Sequence, residues 1–263
     1  MNIDKYLERI NYKGKTSPNL ENLKNIHRQH LYNIPFENLD IGNKVEIILD
    51  IDNLEKKIIY NKRGGYCYEL NGLFYYLLKE IGYNVKMISA RVSNDKNEFG
   101  PEFDHLALIP ELDEQWLTDV GFGDNFLEPI ALKINKPQKN PNGWFKITEY
   151  ENEYENEGDN VTNNNEYLKL SKIEKDDVYT DEYLFTTRER DWQDFSEMNK
   201  YHQTSPDSPF TKKKVCTIAK ENGRVTLTND KLIITEGSTK KIIEVKNEKD
   251  FDEKLYEYFG RET

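Results

Sequence analysis

The apolar positions of the first eighty residues recur at helical spacing. Ile3, Tyr6, Leu7 and Ile10 form one stripe, and Leu20, Leu23, Ile26 and Leu31 form a second. Ser17-Pro18 is a start signal for that second helix, and Pro35 ends it. A third short helix is predicted near Asp52. A fourth begins at Cys67, carries Leu70, Leu73, Phe74, Leu77, Leu78 and Ile81, and stops at Gly82. From Val85 the period changes to short β-forming runs: VKMISARV, HLALIP at 105–110, QWLTDV at 115–120, WFKITEY at 144–150 and EYLKL at 166–170. A helical stretch at 188–200 leads into YHQTSPDSPF, read as an irregular crossing loop. Four further strand-like runs follow, VCTIAK, RVTLT, KLIIT and KIIEV, with turns at ENG, ND and EGS between them. Asn247 then caps a last helix bearing Phe251, Leu255 and Phe259. The expectation is an α+β chain in three units: a helical bundle over 1–84, a sheet or small β-barrel over 85–187, and an α/β closing unit over 188–263. The Glu- and Asn-rich interval from Glu149 to Asn165 reads as an exposed insertion.

Composition narrows the function. The chain has 263 residues, too many for one small bundle, and 36% hydrophobic with 12% aromatic residues supply a core. Its 37 basic and 48 acidic side chains leave a net charge of -11, the wrong sign for binding a phosphate backbone, so nucleic acid is not an expected partner. No apolar run is long enough to span a membrane, and the start, MNIDKYLERI, lacks the apolar stretch of a secretory signal, so the chain reads as cytoplasmic. The two cysteines, Cys67 and Cys216, are far apart with no CxxC and no Cys/His cluster. Neither a disulfide framework nor a metal site is expected, and no repeat points to a solenoid.

The chemistry concentrates around RGGYCYELN at 63–71. A cysteine directly after two glycines, at the first turn of an apolar helix, meets unpaired N–H groups and the positive end of the helix dipole, both of which favour a thiolate. The glycines would let a substrate carbonyl approach the backbone. A small buried cysteine at a helix start is the alternative, and the local sequence leaves both open. A thiolate nucleophile needs a base and the base an orienting group. His105 begins one strand and Asp119 ends the next, so both can meet at one sheet edge, and Gly121 and Gly123 after Asp119 permit a tight turn with N–H groups toward a ligand.

The set PFENLD at 35–40, RGGYCYELN at 63–71, HLAL at 105–108 and WLTDVGFG at 116–123, in this order, resembles the arylamine N-acetyltransferase family. The resemblance implies a helical bundle, a central β-barrel and an α/β lid, with a cysteine-protease-like catalytic core. It also implies acetyl-CoA as a co-substrate rather than a resident cofactor, and ping-pong transfer through Cys67 to arylamines, hydrazines or arylhydroxylamines, with His105 as base and Asp119 orienting it. By the same resemblance Phe36, Phe122 and Phe210 line an acceptor pocket, ordinary core packing being the competing reading. Glu37 and Arg63 form a supporting ion pair, and Gly121 and Gly123 face acetyl-CoA.

The run Lys212-Lys213-Lys214, with Lys213 at its centre, could attract CoA phosphates, a solvated charge run being the commoner explanation. Relatives carry His before the last Phe of the 205–210 loop, where this chain has Pro209. His27, His30 and His202 read as surface or packing residues and Cys216 as inert. The same three catalytic groups also suit a cysteine hydrolase, a transglutaminase-like acyltransferase or a biosynthetic amide synthase, and a ligand-binding module is the non-enzymatic alternative. Oligomeric state and the physiological acceptor are not written in these residues.

Overall fold

The helix Cys67–Ile81 is the centre around which the first half of the chain is organised. Its Leu70, Leu73, Phe74, Leu77 and Leu78 are fully buried. At its start the Glu69 side chain reaches back to accept the Tyr66 N–H at 3.0 Å, and Gly82 in the left-handed conformation (φ 102°) ends it. The computed structural model describes residues 1–94, 96, 98–150, 167–173 and 178–260. Most of the expected Glu149–Asn165 insertion, from residue 151 onward, lies outside the described residues.

Helices Ile3–Arg9 and Leu20–Asn33 pack Tyr6, Leu7, Leu23 and Ile26 into the same core. The second helix starts two residues later than Ser17-Pro18 predicts: Asn19 is the N-cap, accepting the Asn22 N–H at 2.9 Å. The short helix expected near Asp52 is a single turn, Ile51–Leu54, that widens into a π-helical run, Glu55–Tyr60. This core also takes in Trp192 and Phe195 from the far end of the chain. Gly72 makes that contact possible, since a Cβ there would fall 2.2 Å from Trp192 Cζ2.

The second layer is a six-stranded antiparallel sheet. In spatial order its strands are His105–Glu111, Asn84–Val92, Tyr179–Phe185, Leu168–Ile173, Gly143–Glu149 and Gln138–Asn140. Isolated bridges, Leu108 to Thr118 and Ile134 to Ile147, connect both flanks to the intervening chain. Phe126, Phe145, Tyr183 and Phe185 fill its concave side. The run QWLTDV is a strand only at Trp116–Leu117, and Asp119 lies beyond it in the turn. Tyr179–Phe185, unread in the sequence, is an interior strand of the sheet.

A five-stranded antiparallel sheet closes the chain: Phe36–Glu37, Val215–Lys220, Gly223–Thr228, Lys231–Glu236 and Thr239–Glu244 in order. Helix Glu248–Phe259, capped by Asn247, packs Phe251 and Leu255 on it. Its first strand comes from the N-terminal region: Phe36 pairs with Thr217 and Glu37 with Cys216, and Phe36 also bridges Gly65. The loop before Cys67 and the closing sheet therefore share one extended segment. The expected irregular loop at 201–210 is largely helical. Helix Ser196–Thr204 runs into it, and Pro209 opens a short helix, Pro209–Lys212, at the first position, where its missing N–H is harmless. Among the described residues no helix is long and apolar enough to cross a membrane.

Candidate active site

Cys67 occupies the first turn of its helix because Gly64 and Gly65 let neighbouring chain pack closely before it. A Cβ on Gly64 would lie 2.1 Å from the Pro35 carbonyl oxygen, and one on Gly65 would lie 2.8 Å from Glu69 Cβ. The two glycines thus serve packing of the loop. Gly121 closes in from the other side: a Cβ there would be 2.8 Å from Cys67 Cα and 2.9 Å from its carbonyl oxygen.

His105, first residue of its strand, places Nε2 at 2.7 Å from Asp119 Oδ2. Asp119 Oδ1 accepts the Asn71 amide at 2.8 Å and the Gly121 N–H at 2.9 Å. Burial alone would raise the Asp119 carboxyl, but His105, Asn71 and the Gly121 N–H together hold it below the usual carboxylate value. With Nε2 engaged, Nδ1 is the ring nitrogen left to serve the thiol.

Cys67, His105, Gly121, Phe36, Phe122 and Phe210 line one cavity of about 250 Å³, together with Val92, Asp104, His202 and Pro209. The three expected triad residues and the three expected phenylalanines are therefore brought to one place. Of the other expected contacts, Gly123 (φ 96°) packs behind Phe36, and Lys213 is exposed, outside the lining. A larger depression, about 480 Å³ around Tyr12, Asn19 and Asn22, contains no thiol or imidazole.

One expectation meets an opposing influence. The helix N-terminus does favour a thiolate, but burial pushes the Cys67 thiol well up, and Asp104 and Asp119 push the same way. The N–H groups of Tyr68 and Leu106 pull it down without overcoming this.

Behind the site lies a buried ionic network. Arg63 joins Glu37 at 2.8 Å and Asp40 at 2.8 Å; Lys57 joins Asp40 at 2.6 Å and Glu69 at 2.7 Å. Glu37 also accepts the Leu39 N–H at 2.9 Å. Burial would raise Asp40, but Lys57 and Arg63 hold it down. Burial raises Glu69, with Lys57 only partly offsetting it. The expected Glu37–Arg63 pair is thus one link of a larger clamp on the loop before Cys67.

Several residues at the site were not singled out by sequence. Asn71 donates to the Leu106 carbonyl at 2.6 Å and accepts the Val120 N–H at 2.9 Å, tying the Cys67 helix to the strand His105–Glu111 and to the turn after Trp116–Leu117. Its place one helical turn after Cys67 was the available signal. His27 and His30 are buried rather than superficial. His27 Nδ1 lies 2.9 Å from the Leu127 carbonyl oxygen, and its Nε2 lies 3.0 Å from the Asp119 carbonyl oxygen and 3.3 Å from the Asp119 nitrogen; burial lowers its pKa. His202 lines the cavity, with its ring centroid 5.0 Å from that of Phe210. Tyr183 stands 5.5 Å from the His105 ring and 5.4 Å from Phe122. Burial and the Asp119 carboxylate keep its phenol protonated.

A buried thiol at a helix start, an imidazole and a carboxylate around one apolar cavity define a thiol-dependent acyl-transfer site. The N-acetyltransferase family model matches residues 19–262. A pineal gland isozyme of arylamine N-acetyltransferase from Gallus gallus is 33% identical over 85% of this chain and 79% of its own length. The structure of the arylamine N-acetyltransferase from Mycobacterium abscessus superposes with a TM-score of 0.88 at 28% identity, covering 100% of this chain and 90% of that one. A Bacillus cereus arylamine N-acetyltransferase, described as having a Cys-His-Glu triad, matches over the whole of both chains with a TM-score of 0.86 and 28% identity. This chain belongs to the arylamine N-acetyltransferase family.

Proposed function

We propose that this protein transfers an acetyl group from acetyl-CoA to an arylamine, hydrazine or arylhydroxylamine by a ping-pong route through Cys67. The observation that carries the reading is the 2.7 Å contact of His105 with Asp119 in a cavity whose walls also include Cys67 and three phenylalanines. His105 takes the Cys67 proton and the thiolate attacks the thioester carbonyl. The tetrahedral adduct then collapses, expelling CoA, which leaves with that proton as the thiol. The acceptor nitrogen next attacks the acetyl-cysteine and gives its proton to His105, and the Cys67 thiol is restored. Asp119 holds the ring orientation and stabilises the imidazolium.

Phe36, Phe122 and Phe210 supply flat apolar walls suited to an aromatic ring. Gly121 and Gly123 shape the turn that would face the acetyl donor. The exposed Lys213, three residues past Phe210, is assigned a long-range attraction for CoA phosphates on an otherwise acidic chain. A thiol on a helix start, served by a strand and by the turn after the next strand, supports a cysteine-protease-like core. The division into helical (1–84), barrel (85–187) and lid (188–263) units belongs to the same reading. The test is a panel of arylamines, hydrazines and arylhydroxylamines assayed for CoA release with wild type and Cys67→Ser. Release should depend on acceptor and vanish in the variant. Release that ignores the amine would identify a hydrolase.

A further inference from the structure

A second carboxylate–imidazole pair stands in the same cavity. Asp104 Oδ1 lies 3.3 Å from His202 Nε2, and Oδ2 accepts the Val92 N–H at 3.3 Å. Both contacts are long, and each carboxylate oxygen can accept more than one hydrogen bond, so acceptor capacity is left toward the cavity that Asp104 lines. The placement is built into the surrounding chain. A Cβ on Gly100 would fall 2.5 Å from Oδ2, so the glycine makes room for the group. The Tyr68 hydroxyl lies 3.2 Å from the Asp104 carbonyl oxygen, and His202 is seated by Ser208 at 3.3 Å.

Asp104 also acts on the nucleophile. Its charge raises the Cys67 thiol more than that of Asp119 does. Asp119 is committed to His105, Asn71 and the Gly121 N–H, and no lysine or arginine is among the described residues that line the cavity. A volume of about 250 Å³ corresponds to a sphere roughly 8 Å across, so every substituent of a bound ring stays within about one screening length of Asp104.

We propose that Asp104, beside His202 in the cavity wall, makes the acceptor site selective by charge, favouring neutral aromatic amines over those that carry a carboxylate. This rests on the acetyl-transfer reading and names the substrate class within it.

The experiment compares 4-aminobenzamide with 4-aminobenzoate, two acceptors of one shape, in wild type and Asp104→Asn, following CoA release and acetyl-enzyme formation together. In the wild type kcat/KM for the amide should exceed that for the acid by about tenfold or more, the scale expected of like charges in a partly desolvated site. The carboxylate-bearing aniline is intrinsically the better nucleophile, so this order runs against inherent reactivity. Asp104→Asn keeps the side-chain volume and an oxygen for Val92, and should shrink the ratio about fivefold or more. A merely structural role would lower both acceptors alike and leave the ratio in place. If the variant does not fold, the wild-type ratio decides alone. A ratio near one, or a ratio the variant does not change, overturns the inference while acetyl-enzyme and amide turnover keep the acetyl-transfer reading standing. Absence of acetyl-enzyme in the wild type removes both.

Discussion

Nε2 of His105 is bound to Oδ2 of Asp119 at 2.7 Å, which commits that nitrogen and leaves Nδ1 for the thiol. Asp119→Asn would keep the shape but could present an amide N–H to Nε2, favouring the tautomer that has its proton on Nδ1 and cannot accept one from Cys67. We expect kcat to fall by about 10³- to 10⁴-fold, as in other Cys/Ser–His–Asp sites, with the far-ultraviolet spectrum preserved. A variant within tenfold of wild type would contradict the assigned role.

The pH dependence of Cys67 follows from its surroundings. Burial, Asp104 and Asp119 raise the thiol, so without a base it should stay protonated well above neutrality. Alkylation of Cys67 by iodoacetamide, located by peptide mass, should be slow at pH 7 in His105→Gln and climb only above about pH 9. The wild type, whose imidazole takes the proton, should react at neutral pH at least about tenfold faster. Superimposable pH profiles would remove His105 as the base.

Asp119 has the opposite linkage. Its folded pKa lies below the unfolded value, so the stability it contributes is complete above about pH 4 and is lost as pH falls through the folded value. Asp119→Asn should therefore flatten the acid limb of a pH–Tm curve, and an unaltered limb would contradict the assignment.

The ionic clamp behind the loop makes a claim about stability. Glu37 is fully buried, and Arg63→Met would leave it without its guanidinium partner, at a cost of about 3–5 kcal/mol by urea denaturation. The double variant Glu37→Gln/Arg63→Met should recover part of that loss. A single variant as stable as wild type would show that Lys57 satisfies the network unaided.

Gly121→Ala places a methyl group against Cys67 backbone atoms and the Asn71 amide. Overpacking of this kind costs about 1–3 kcal/mol and should slow acetyl-enzyme formation at least tenfold by displacing the nucleophile. Lys213→Ala, outside the cavity, should raise the KM for acetyl-CoA only about two- to threefold, an effect that fades with added salt.

The grouping of Cys67, His105 and Asp119 was legible because each sits in a short run with strong local meaning: glycines before a helix start for Cys67, and two β-forming runs for His105 and Asp119. Several supporting parts were not. Tyr179–Phe185 went unread because Thr180, Asp181 and Glu182 interrupt its apolar character, although Tyr183 and Phe185 are fully buried. Phe36–Glu37 is two residues long and takes its meaning from a partner almost two hundred positions away. His27 and His202 looked idle because what they touch, Asp119 and Asp104, lies on other elements. The burial that opposes a thiolate at Cys67 was unread for a related reason. The helix dipole can be read from a sequence, but the degree of burial that opposes it cannot.

Intact-protein mass spectrometry after exposure to acetyl-CoA without acceptor bears most directly on the nucleophile. The wild type should gain one acetyl group per chain, lost on adding an arylamine, and Cys67→Ser should give neither the adduct nor turnover. A Cys67→Ser protein that still consumes acetyl-CoA at the wild-type rate, or an adduct on another residue that the amine discharges, would contradict the account.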